Sequence, residues 1–76
     1  MPVNQQYSKR MGSHLARLRQ EKGLTQEQLA ARLQVQGCDL TRSAIAKIEV
    51  GQRHLYPDEI KALTEVLTVS YEQLFI

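Results

Sequence analysis

Apolar positions along this chain recur at helical spacing in short runs, and the runs open on the same start signal. In Leu24-Thr25-Gln26-Glu27-Gln28-Leu29, Thr25 can cap a helix and Gln28, three residues on, completes a capping box. Leu24 and Leu29 bracket it as a hydrophobic staple, and Leu29, Ala30 and Leu33 then share one helical face. A second start follows at Leu40-Thr41-Arg42-Ser43-Ala44-Ile45, with Thr41 as the cap and Leu40 and Ile45 as the staple. Ile45 and Ile48 point inward there, which leaves Arg42, Ser43, Ala46 and Lys47 on a short, polar, basic outer face. Gly51 ends that helix where a residue tolerant of positive φ is wanted. Upstream, Met11, Leu15 and Leu18 define a helix from near Ser8 to Lys22 that stops at Gly23. Gly12 weakens it by roughly 1 kcal/mol relative to Ala. Downstream, Pro57 suits the first position of a fourth helix, with Asp58 and Glu59 complementing its dipole and Ile60, Leu63, Val66 and Leu67 inside. Val69-Ser70-Tyr71-Glu72-Gln73-Leu74 repeats the start signal for a fifth. The pattern predicts an all-α domain of five helices over residues 8–76, preceded by an aperiodic arm at residues 1–7.

Composition narrows the picture. The 76 residues make one small domain, and one Phe, three Tyr and no Trp leave its core aliphatic. Cys38 is the only cysteine, which excludes an intramolecular disulfide and a Cys-based zinc site and points to an intracellular, cytoplasmic address. No apolar run approaches the roughly 20 residues needed to span a bilayer, and a signal-peptide core is lacking. The net charge is only +2, but residues 1–55 hold nine Lys and Arg against four Asp and Glu, whereas residues 56–76 are net acidic. The basic part contains the two central helices, a polarity that suits phosphate on one side.

Gly23-Leu24-Thr25-Gln26-Glu27-Gln28-Leu29-Ala30, followed by Ile45-Ala46-Lys47-Ile48-Glu49-Val50-Gly51-Gln52-Arg53, resembles the phage repressor and Cro-like helix-turn-helix family, the xenobiotic-response-element type. The similarity runs from about Met11 to Phe75. It implies a lambda-repressor-like domain that binds double-stranded DNA as a homodimer and regulates transcription, by family habit as a repressor. The second of its two central helices would read the major groove, with Arg42, Ser43, Ala46 and Lys47 at base edges. Gln26, Thr41, Gln52 and Arg53 would hold phosphates. The resemblance also aligns Arg19 with the arginine that pairs with the glutamate before the second glycine, here Glu49; the alternative is two unrelated surface charges. Two departures stand out. Fifteen residues separate Ala30 from Ile45, about five more than the tight form of the motif has. We read this as the first of the two helices running on to about Gln36, with Gly37 closing it and a short loop to Leu40. Thr68 stands where the family has glycine.

No catalytic or metal-binding constellation is present: His14, His54 and Cys38 are far apart in sequence, and no Gly-rich phosphate cradle occurs. The sequence therefore implies no enzyme, cofactor, metal or small-molecule ligand. Tyr71 and Phe75 share a face of the last helix with Ile76 beside it, a candidate dimer interface; alternatively Phe75 closes the monomer core. The competing function is a protein-interaction module or antitoxin-like partner that kept the fold without strong DNA binding.

Overall fold

A computed structural model describes the backbone of residues 5–75 and the side chains of residues 8–74. Among the described residues the chain forms α1 (Gln5–Glu21), α2 (Gln26–Val35), α3 (Arg42–Glu49), α4 (Pro57–Leu67) and α5 (Tyr71–Phe75), with no strand. The all-α, five-helix expectation matches this order. α1 starts at Gln5, before the expected Ser8, so the expected arm of residues 1–7 overlaps the helix at residues 5–7; residues 1–4 lie outside the described residues.

The start signals work as local chemistry. At α2 the Gln28 N–H donates to Thr25 Oγ1 at 3.0 Å and the Thr25 N–H donates to Gln28 Oε1 at 2.9 Å. Thr41 Oγ1 accepts from the Ala44 N–H at 3.1 Å, and Ser70 and Gln73 exchange the same bonds before α5. The staple residues Leu24, Leu29, Leu40, Ile45 and Leu74 are buried, with Val69 packed against them. Each such cap contributes about 1 kcal/mol to a helix too short to persist alone.

The lengthened turn resolves into a well-formed helix end. Gly37 takes φ 82°, its N–H donates to Gln34 O at 3.0 Å, and the Cys38 N–H donates to Leu33 O at 2.9 Å. This double bond satisfies the last carbonyls of α2. The extension projects into solvent, with Val35 86% exposed, while Leu40 returns to the core and seats α3. At the end of α4, Thr68 adopts φ 54° and ψ 50°, the left-handed conformation the family gives to glycine.

Leu15, Leu29, Leu33, Ile45, Leu63, Leu67 and Leu74 form a fully buried aliphatic centre. α1 packs on α3 and α5, and α2 on α3 and α4, so α3 is held from two sides. Met11, expected in the buried stripe of α1, is only half-buried. The expectation that Gly12 is merely a weak point requires correction. A Cβ at Gly12 would overlap the Ile48 carbonyl oxygen and lie 2.8 Å from Glu49 C and O. One turn away, a Cβ at Gly51 would lie 3.0 Å from Lys9 Cα. α1 therefore rests backbone to backbone on the end of α3, and the loss of helix propensity at Gly12 is the condition of that approach.

Candidate nucleic-acid interface

α3 is fixed by what lies beneath it. Ile45 and Ile48 are buried on one side, and Thr41 sets its start. Arg42, Ser43 and Lys47 are exposed on the other side, and Ala46 is half-buried between them. Residues three and four apart share a helical face, so the row Ser43, Ala46, Lys47 continues to Val50. Val50 is 56% exposed at the helix end. The sequence reading stopped this face at Lys47, although the spacing that selected Lys47 also selects Val50.

Behind this exposed face, Arg19 and Glu49 meet. Arg19 Nε donates to Glu49 Oε2 at 2.7 Å and Arg19 Nη2 donates to Oε1 at 3.1 Å, with side chains 10% and 6% exposed. Arg19 Nη1 also donates to Leu24 O at 2.7 Å. The guanidinium thus ties the end of α1, the connection to α2 and the end of α3. Gln26 joins this cluster: its Nε2 donates to Glu49 Oε1 at 2.9 Å. A carboxylate only accepts, so the amide must turn its nitrogen inward, and one of its two N–H bonds remains for another acceptor. Gln26 sits in the first turn of α2, bordering a cleft of about 400 Å3 that Thr25, Glu27 and Arg42 also line.

Arg53 lies in the loop between α3 and α4, but its side chain is already engaged. It forms a fork on Glu59, with Nη1 to Oε1 and Nη2 to Oε2 both at 3.0 Å, while Nη1 also donates to His54 O at 2.8 Å. Its guanidinium stands 5.7 Å from the centre of the Tyr56 ring. Hydrogen bonding from Arg53 lowers the Glu59 pKa, burial opposes that, and the Tyr56 N–H lowers it further. The same bonds raise the Arg53 pKa above its usual value. The sequence reading gave Glu59 to the helix dipole and missed this partner, which lies six residues away across a loop. Gln52 and Thr41 are exposed, and Thr41 keeps its hydroxyl proton free of the cap bond it accepts.

At the far end, Tyr71 is 51% exposed and Leu74 is fully buried, with its carbonyl 3.4 Å from His14 Nδ1. The Phe75 side chain and Ile76, the other members of the expected dimer patch, lie outside the described residues. Cys38 is half-buried, and burial pushes its thiol pKa up, which keeps it a neutral thiol at physiological pH. Among the described residues no group of His, Cys, Asp and Glu could hold a metal ion, and no helix is long and apolar enough to cross a membrane.

Comparison with known proteins places this geometry. The helix-turn-helix family model matches residues 15–74, from the buried stripe of α1 to the staple of α5. Among solved structures, the chain is similar to the restriction-modification controller protein C.AhdI from Aeromonas hydrophila, with 31% identity and a TM-score of 0.83, covering 97% of this chain and 100% of that one. It also shares its fold with the DNA-binding domain of BldD, at 20% identity and a TM-score of 0.81, with the same coverage. No curated protein sequence matches. The capped and lengthened α2–α3 unit, the exposed face of α3 and the family match agree: the chain belongs to the Cro/C1-type helix-turn-helix family and is a DNA-binding transcriptional regulator.

Proposed function

We propose that the protein binds as a homodimer to a two-fold symmetric operator, reads each half-site in the major groove with α3, and represses transcription in the cytoplasm. The observation that carries this reading is the division of α3 into a buried apolar side, Ile45 and Ile48, and an exposed side bearing Arg42, Ser43 and Lys47. Arg42 at the helix start can fork onto a guanine, which is worth roughly 1–3 kcal/mol of discrimination. Ser43 and Lys47 take neighbouring base edges, and the Ala46 methyl leaves room for close approach. Gln26 supplies the N–H left over from Glu49 to a phosphate, with the dipole of α2 behind it. Thr41 and Gln52 supply further donors. Arg53 gives a positioned donor with little net charge, because Glu59 already balances it. Half-sites should then lie about 34 Å apart or a multiple of that.

The likeness to a restriction-modification controller suggests where to look first: DNA upstream of restriction and modification genes. Selection from a random duplex library should return a two-fold symmetric sequence, and Arg42→Ala should flatten the preference at one base pair per half-site. Enrichment of no sequence would overturn the reading. An unchanged preference in Arg42→Ala would remove Arg42 from the reading face.

A further inference from the structure

The end of α3 opens onto a cleft of about 450 Å3 between the loop after α3 and the start of α1, lined by residues 8–9 of α1 and residues 50–54 of that loop. We propose that this cleft receives a phosphate of the DNA backbone and that Lys9 is its cationic ligand. The inference rests on the reading of α3 as the groove helix and extends the contact surface to α1, to which neither the motif nor its spacing points.

Three observations converge on Lys9. The first is continuity: Val50 carries the row of Ser43, Ala46 and Lys47 to its end and also forms a wall of the cleft. A duplex whose major groove holds that row must bring a backbone past its last member. The second is rigidity. Gly51 has no side chain, and the space a Cβ would need is filled by Lys9, with Cγ at 2.6 Å and Cα and N at 3.0 Å from that position. The lysine backbone is therefore docked on the end of α3, and its register with the reading face is set by packing. The third is charge. Arg53, the cation that the motif offers at this place, is already bound in a fork to Glu59. Lys9 is exposed, and among the described residues no carboxylate pairs with it. The uncompensated positive charge at this edge thus comes from α1.

A phosphate bound there by a lysine reads no base. It adds affinity uniformly and shows itself in salt dependence, because each neutralised phosphate steepens the fall of log K with log salt by about 0.9. The test measures binding of the full chain to its selected duplex and to a scrambled duplex across salt, for the wild type, Lys9→Gln, Lys9→Arg and Arg10→Gln. Lys9→Gln should lower the slope by about 0.9 per protomer on both duplexes, so that raising salt from 50 to 200 mM costs each protomer about 3.5-fold less affinity than in the wild type. Its preferred sequence should not change. Lys9→Arg should restore the slope. Arg10→Gln, the adjacent exposed residue that does not line the cleft, should keep the wild-type value. Ethylation of single phosphates should identify one whose modification weakens the wild type and leaves Lys9→Gln unaffected. A wild-type slope in Lys9→Gln overturns the proposal while leaving α3 as the reading helix. A wild type that binds neither duplex overturns both.

Discussion

Removing Arg19 and Glu49 one at a time should cost more, added together, than removing both at once. Arg19→Met leaves the Glu49 carboxylate almost enclosed with only the Gln26 N–H on it, and leaves the Leu24 carbonyl without its donor. Breaking such a pair from one side typically costs 3–5 kcal/mol, because a buried charge is left uncompensated, and we expect about that. Glu49→Met leaves a guanidinium with the Leu24 carbonyl alone and should cost a similar amount. The double variant leaves only neutral groups unsatisfied, Leu24 O and the Gln26 amide, at about 1–3 kcal/mol each, and Gln26 can turn to solvent. The two single costs then sum to about 6–10 kcal/mol against about 1–3 kcal/mol for the double variant, so the coupling is at least about 3 kcal/mol, at or above the upper end of what contacting residues show. A domain of this size is stable by about 4–11 kcal/mol, so either single variant approaches the limit of folding. The cycle is therefore best measured by urea unfolding in a fixed concentration of stabilising osmolyte, comparing midpoints at constant slope. Costs that add to within about 0.5 kcal/mol would show that the two charges act independently and refute the argument.

Gly12→Ala should destabilise by about 1–3 kcal/mol despite the better helix propensity of alanine, since the new methyl meets backbone of α3 that cannot swing aside; a raised thermal midpoint would contradict the close approach. Thr68→Gly should stabilise by about 1 kcal/mol by relieving a β-branched residue in the left-handed region, and a lowered urea midpoint would mean the strain is absorbed by other contacts. Glu59 has its pKa lowered in the folded state, so its pair with Arg53 contributes fully above the ordinary glutamate value of about 4.3 and is lost as pH falls through the lowered one. Glu59→Gln should accordingly be less stable at neutral pH and lose the difference from wild type below that window, as acid titration of the urea midpoint will show.

How much could be read from the chain alone follows from the range of each interaction. Thr25, Gln28, Thr41, Ser70 and Gln73 were legible as caps because a cap closes within three residues. The lengthened turn was legible for the same reason: Gly37 and Leu40 carry their own local signals, a left-handed end and a staple. Thr68 was legible only against a family pattern. Arg19 and Glu49 are 30 residues apart and came through that resemblance, since nothing in either neighbourhood marks the other. What escaped was contact between elements. Gly12 looked like a flaw because the backbone it meets belongs to another helix, and the partner of Arg53 was not apparent because Glu59 lies beyond a loop. Lys9 carries no local signal, since only the packing of α1 on α3 brings it to this edge.

The separation of the two sides of α3 bears on how such a regulator can change. Ile45, Ile48, Thr41 and Glu49 hold the helix, whereas Arg42, Ser43 and Lys47 make no described contact on which the fold depends. Surface substitutions of that kind generally fall within about 0.5 kcal/mol of neutral, a small part of the whole stability. If this face reads the operator as proposed, new operators can be explored one residue at a time without first acquiring compensating changes in the core. What such a regulator reads can then alter faster than what it is built from.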